Sequence, residues 1–200
     1  MRVGATAEMM ARRTWSSPRS IPLLVALLIV GCASLPYVPV EGTVAPSKYG
    51  FQVTMPPGWY RATAVEDRLL MTRDGLLLQS INVGRTSIDE ALKLTGRKFD
   101  DTMSPSQAAG LEIDEVRSFS EHLDLSVEDN SLAVVAGRPA FRLVYAWHTR
   151  GGLRLKAVHY GFVDGRWVYH LIYRAAVRHY FDRDLDAFEQ VRESFRLLET

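Results

Sequence analysis

FRLVYAWHTRGGLRLKAVHYGFVDGRWVYHLIYRA, residues 141–175, decides the fold. Three runs, Phe141 to Thr149, Leu153 to Val163 and Trp167 to Ala175, are dense in Val, Tyr, Phe and Trp. Those side chains suit a pleated surface buried on at least one side. Gly151-Gly152 and Asp164-Gly165 separate the runs, and each dipeptide signals a tight turn. The segment therefore reads as an antiparallel meander. With two-residue turns, Phe141, Leu143, Tyr145 and Trp147 share a face with Val158, Tyr160, Phe162, Trp167, Tyr169, Leu171 and Tyr173. Val144, Ala146, Leu155, Ala157, Val168 and Ile172 take the other face. Both faces are apolar enough to need a cover, so helices are expected on both sides.

Those helices can be placed from the flanking sequence. Leu185, Phe188, Val191, Phe195 and Leu198 recur at three and four residues, which predicts a closing helix over about 183–198 with an inward apolar face. Asp184, Arg192 and Glu193 are expected to point outward from it. Upstream, Ser87-Ile88-Asp89-Glu90 and Ser104-Pro105-Ser106-Gln107 both match the capping box, a hydroxyl at the cap with Glu or Gln three residues on. The first predicts a helix carrying Ile88, Ala91, Leu92, Thr95 and Phe99; the second predicts one with Ala109, Ile113 and Val116 inward.

Before them, Phe51 to Met55 reads as a strand stopped by Pro56-Pro57-Gly58, with Trp59 to Ala62 pairing nearby. Asp74-Gly75 predicts a hairpin between Arg68–Thr72 and Leu76–Arg85, and Leu125 to Ala136 is a further strand. The sum is an α+β domain, an α/β/α sandwich whose central sheet is mostly antiparallel.

The Tyr-Gly-Phe strand running into Pro-Pro-Gly-Trp (49–59), Gly-Arg-Pro-Ala-Phe-Arg (137–142), the meander and the closing Phe-x-x-Val-x-x-Ser-Phe (188–195) together resemble the PsbP-like fold. That group includes the extrinsic PsbP subunit of photosystem II, a eukaryotic Ran-binding import factor and bacterial envelope proteins of the DcrB type. The resemblance covers about residues 49–197. It implies an α/β/α sandwich, a role in binding or assisting other proteins, and no shared catalytic set.

The N-terminus reads as an address. Arg2, Arg12, Arg13 and Arg19 precede an apolar stretch from Ile21 to Val30, which ends in Gly31-Cys32. A basic region, a short apolar region and a small residue at the cut mark a secretory signal. Ten apolar residues fall short of the ~20 that span a bilayer. Ile29-Val30-Gly31-Cys32 resembles the lipobox of bacterial lipoproteins, which implies cleavage before Cys32 and acylation of its thiol. Two or three acyl chains would hold the protein on a membrane. Ala33 and Ser34, with no Asp after the cysteine, resemble the signal for the outer membrane. The organisation expected is a signal peptide over 1–31, a Pro-containing tether over 32–48 and a single domain over 49–200.

Charge and composition narrow the function classes. Of 200 residues, 47% are hydrophobic and 24% charged, the balance of an ordinary globular domain. The signal segment holds four of the 24 basic and one of the 23 acidic side chains, which leaves 20 against 22, a net charge of −2. That balance argues against a nucleic-acid partner. No nucleophile elbow, phosphate loop, dinucleotide fingerprint or His-Glu-x-x-His motif occurs. An enzyme is not expected, nor a cofactor.

Histidines and aromatics are the remaining chemistry. His122 reads as a solvated helix end, and His179 falls in a turn before the last helix. His148, His159 and His170 fall on one predicted face, with His159 directly across from His170. Two imidazoles with no assigned carboxylate fall short of a zinc site, so no bound metal is expected there. Tyr160, Tyr169, Tyr173, Trp147 and Trp167 read as core beneath a helix. The functional expectation is an outer-membrane-anchored envelope lipoprotein facing the periplasm, non-catalytic, that meets a protein partner. The alternative is an envelope protein that binds a small ligand or metal on the central sheet face.

Overall fold

A computed structural model describes residues 37–44 and 47–198. The strands are β1 (Tyr37–Val44), β2 (Phe51–Ala62), β3 (Arg68–Thr72), β4 (Gln79–Ser87), β5 (Leu123–Val135), β6 (Arg138–His148), β7 (Arg154–Asp164), β8 (Trp167–Ala176) and β9 (Arg196–Leu197). Helix α1 (Pro105–Arg117) lies between β4 and β5, and α2 (Phe181–Ser194) follows β8. The sheet order is β1-β2-β3-β4-β8-β7-β6-β5, with β9 paired to the start of β2. All of these pairs are antiparallel. Between β4, in the middle, and β5, at the far edge, the chain passes through α1.

Alternation along the strands divides the core into two. One half joins Phe51, Met55, Trp59, Tyr160, Phe162, Tyr169 and Tyr173 to Phe188 and Val191 of α2 and to Phe195, which follows its last turn. The other joins Phe141, Leu143, Tyr145, Trp147, Leu155 and Ala157 to Ala108, Ala109, Leu111 and Val116 of α1. The sandwich of helix, sheet and helix is the architecture expected. Among the described residues no helix is long and apolar enough to cross a membrane. The signal segment 1–31 and Cys32 lie outside the described residues.

Several local expectations are corrected. Most of the described part of the expected tether is β1, paired along β2 from Tyr37↔Ala62 to Val44↔Val53. Pro56-Pro57-Gly58 does not stop β2: Val40 opposes Trp59 and Gly42 opposes Met55, so the prolines sit in a bulge. Proline is tolerated there because a bulge leaves ladder positions unpaired. Asp74-Gly75 is no two-residue turn; β3 ends at Thr72 and β4 begins at Gln79. The Thr72 hydroxyl donates to the Gln79 carbonyl at 2.8 Å and accepts from the Gly75 amide at 2.9 Å, closing the longer loop.

No helix forms over residues 88–99. Ser87 Oγ instead accepts from Asp89 N at 3.2 Å in a local turn. The Leu94 and Thr95 amides, donors in any such helix, point to the Glu115 carboxylate at 3.0 Å each. The second box holds in full: Ser104 and Gln107 exchange side-chain and backbone hydrogen bonds at the start of α1. Asp184 is not outward on α2; it is 1% exposed and takes hydrogen bonds from Arg73, Gln79 and Arg183.

Register explains the remaining errors. The β6–β7 loop is Thr149–Leu153, not a two-residue turn, so His148 opposes Arg154. This slips the pairing by one residue and flips β6 relative to β7 and β8, since the side-chain period is two. Phe141, Leu143, Tyr145 and Trp147 therefore join Ala157 and Val168 beneath α1, and His148 leaves the face that carries the other two histidines. The β7–β8 turn is Gly165-Arg166, with Gly165 at φ +57°. That slip is of two residues and keeps the face. His159 consequently opposes Ile172, and His170 opposes Gly161.

Candidate functional site

His159 on β7 and His170 on β8 are diagonal neighbours, not directly opposed, yet their rings meet. Nε2 of His159 lies 3.1 Å from Nδ1 of His170. Gly161, opposite His170, makes the room: a Cβ there would stand 2.2 Å from the Phe141 ring, which packs edge-on against His159 with centroids 5.1 Å apart. The Thr86 hydroxyl on β4 is 3.3 Å from the remaining nitrogen of His170, Nε2. His159 Nδ1 is buried with no hydrogen-bond partner among the described residues.

Helix α1 completes the cluster. Its capping box fixes the helical phase, and that phase turns Glu112 and Glu115, three residues apart, toward the sheet, both buried. Glu115 is fully engaged by the 88–104 segment, accepting from Leu94 N, Thr95 N and Thr95 Oγ1 at 3.0 Å each. Glu112 is not so engaged. Its carboxylate oxygens lie 3.9 Å from His159 Nδ1 and 3.7 Å from His170 Nδ1. Glu112, His159 and His170 each offer a ligand atom, and those atoms lie within 4.8 Å of one another.

Burial sets the charge state. Desolvation, and then the neighbouring Glu115, push the Glu112 carboxyl up to about 8. Desolvation, and then Arg68, pull His170 down to about 4. His159 falls well below the ordinary imidazole value, through burial first and His170 second. At neutral pH the trio is therefore mostly uncharged, a protonated carboxyl beside two neutral rings. Nearby, burial and then Glu112 push the Tyr145 phenol above its usual range.

A cavity of about 300 Å³ opens onto this cluster. Phe99, Phe119, Leu92 and Ile172 line its apolar part, while Arg68, Arg85 and Lys93 bring positive charge. Asp67 pairs with Arg68, and Arg85 lies over the Trp167 ring at 4.0 Å.

The other singled-out residues are placed elsewhere. His148 is remote from the cluster, with Nδ1 3.7 Å from Asp124. Nδ1 of His122 is 3.0 Å from the Val116 carbonyl near the end of α1, and His179 sits in the turn before α2 at φ +78°. Tyr160, Tyr169 and Tyr173 are core beneath α2, whereas Trp147 lies under α1. The Tyr173 hydroxyl donates to the carbonyls of Tyr180 and Phe181 at 2.9 and 3.1 Å.

Glu112 is the residue that sequence reasoning missed. It falls between Ala109 and Val116 on the inward stripe of α1, three residues after one and four before the other. A glutamate on an inward stripe was the available signal.

No family model matches the chain, and no curated protein sequence matches it. Solved structures do. The cyanobacterial PsbP (CyanoP) of Synechocystis superposes with a TM-score of 0.54 at 14% identity, over 84% of this chain and 95% of that one. The Ran-binding protein Mog1p of Saccharomyces cerevisiae superposes at 0.52 with 8% identity, over 83% and 97%. Identities this low speak to architecture alone. The domain that carries the histidine–glutamate cluster has the PsbP-like fold, as its turns and closing helix implied.

Proposed function

We propose that this chain is a bacterial envelope lipoprotein, anchored in the outer membrane through an acylated Cys32, whose domain binds a protein partner in the periplasm and catalyses nothing. A basic segment, a short apolar stretch and a lone cysteine at its end support the anchor. The fold supports the binding role, because one structural neighbour is described as Ran-binding.

The observation that carries the binding role is an apolar strip on the β5–β6 hairpin that none of the described residues covers. Leu132 is 71% and Val134 62% exposed. Leu132 opposes Phe141 and Val134 opposes Pro139, which puts both on the α1 side of the sheet. Neither joins the core that α1 covers. Apolar side chains standing together on an edge strand are a place for another chain to pack.

A photo-crosslinking residue at position 132 or 134, introduced into the full chain in cells, tests this reading. A discrete heavier product from both positions, absent from a control position on the outer face of α2 such as Gln190, is expected. Labelling no stronger than at position 190 would overturn it. The anchor is tested separately: Cys32→Ser should release the chain from membranes after salt washing, and salt-resistant retention would remove the lipoprotein reading.

A further inference from the structure

Three secondary-structure elements converge on one small volume: α1 supplies Glu112, β7 His159 and β8 His170. Ionisable groups are seldom buried without a partner, because each such burial destabilises the fold. Here Glu115, one turn along the same helix, shows what a satisfied buried carboxylate looks like, with three donors at 3.0 Å. Glu112 and His159 Nδ1 lack that satisfaction; their mutual distance of 3.9 Å is beyond a hydrogen bond. A group of atoms that can hold a cation sits beside a cavity large enough to admit one.

We propose that Glu112, His159 and His170 bind one divalent transition-metal ion, with zinc the best fit, and that its open coordination position faces the cavity. The inference stands apart from the partner reading, since the cluster lies inside the domain and the apolar strip outside it. Two imidazoles and one carboxylate are the mixed nitrogen and oxygen set that three-ligand zinc sites use, leaving a fourth position to water or a ligand. Calcium and magnesium call for a shell of oxygens, and monovalent copper calls for sulfur, so both are poor matches. With metal–ligand bonds of 2.0–2.2 Å, tetrahedral ligand atoms stand about 3.3 Å apart. The Glu112 carboxylate oxygens stand 3.9 Å from Nδ1 of His159 and 3.7 Å from Nδ1 of His170, and one ligand atom from each residue lies within 4.8 Å of the others, so side-chain adjustments of an ångström or so reach that figure.

The surrounding shell is also in place. If Nε2–H of His170 donates to Thr86 Oγ1, 3.3 Å away, its Nδ1 keeps a free lone pair on the side of Glu112 and His159. A hydrogen bond on the far nitrogen is how metal-binding histidines are commonly oriented. Binding replaces the His159–His170 hydrogen bond and gives the orphaned His159 a partner.

The test uses the full chain, purified in mild detergent without metal-affinity resin, stripped with chelator and titrated with zinc chloride by calorimetry and equilibrium dialysis. One zinc per chain is expected. His170→Ala and Glu112→Gln should lose that stoichiometric binding, and Thr86→Val should weaken it about tenfold through loss of orientation. His148→Ala, on a histidine outside the cluster, should bind as the parent does. Glu112→Gln keeps the shape of the neutral carboxyl it replaces, so circular dichroism should report a native fold in the stripped variant. A folded parent that takes up no stoichiometric zinc would overturn the proposal. So would equal binding by parent, Glu112→Gln and His170→Ala.

Discussion

The same strands present two unlike faces to their two helices. Beneath α2, Phe51 stacks on Tyr49 and Phe195, Phe162 on Tyr169, and Tyr173 on Phe188, at centroid distances of 5.0–5.6 Å. Tyrosine hydroxyls there reach backbone carbonyls or Glu189. Beneath α1 lie a cavity of about 300 Å³, two buried glutamates and a buried histidine without a partner at Nδ1. Dense aromatic packing maximises apolar burial. A void lined by ionisable groups sacrifices stability, and such sacrifices cluster where proteins bind something. The contrast is the reason the metal site is proposed on the α1 face and not on the α2 face.

The largest effect should come from the α2 face. Phe188 and Phe195 are fully buried, so either one changed to Ala should cost ~3–5 kcal/mol in denaturant melts of the full chain. A much smaller loss at both would mean that this face is loosely packed, and the contrast with the α1 face would dissolve.

The phase that places Phe188 was legible because three- and four-residue spacing is a property of local sequence, but α2 ends at Ser194 and not near 198: Phe195 reaches the same core from extended chain at the helix end, and Arg196–Leu197 pair with β2. Ser104 and Gln107 were legible for the same reason. What escaped was set at a distance. The expected helix over 88–99 lost to a contact from Glu115, some twenty residues on, which captured its amide donors. The β6–β7 register depended on one extra residue in a Gly-Gly loop, where Gly152 N donates to the Thr149 carbonyl at 2.9 Å. That residue moved His148 off the histidine face. The His159–His170 pair survived its own error because a two-residue slip preserves the face. The metal question turned on Glu112, which only tertiary packing brings near the pair.

On the α1 face the second largest effect should depend on pH. In stripped protein Glu112 keeps its proton to about pH 8, whereas the unfolded chain gives it up near 4.5. Between those values the native state holds more protons, so the Glu112 contribution to stability falls as pH rises. His159 and His170 act in the other direction: their native values lie below 6.5, so stability falls as pH drops beneath that point. The parent should therefore be most stable near pH 6.5 and lose on the order of 1 kcal/mol per unit from about pH 7 to 8. Glu112→Gln should be flat from about pH 7.5 to 8.5 in chelator, where the histidines no longer titrate in either state. An unchanged slope would show that the carboxyl is already ionised, and that the α1 face is less apolar than described.

Glu115 offers a sharper local comparison with Glu112 on the same helix. Its carboxylate is the anchor of the 88–104 segment, so Glu115→Ala should cost about 1–3 kcal/mol at any pH in this range. Hydrogen exchange should show the Leu94 and Thr95 amides losing protection while those of β7 keep theirs. Protection retained at both sites would mean that the segment is held by packing of Phe99 and Leu92 and not by the carboxylate.

The smallest expected effect on stability lies on the strip outside both cores. Leu132 and Val134 project from an edge strand into solvent, so replacing either with Thr removes little buried area. Threonine keeps the branched shape that favours strands, which guards the β5–β6 pairing against a propensity penalty. The double change Leu132→Thr, Val134→Thr should therefore move stability by less than ~0.5 kcal/mol. Zinc binding should also persist, because neither residue lines the cavity. Association with a partner, read as co-purification from membranes or as crosslinking from a neighbouring position such as 130, should drop sharply. A loss of several kcal/mol instead would show that the strip packs within this chain, and the surface would then have no claim on a partner. Full retention of crosslinking by a stable double variant would move the docking site away from this hairpin.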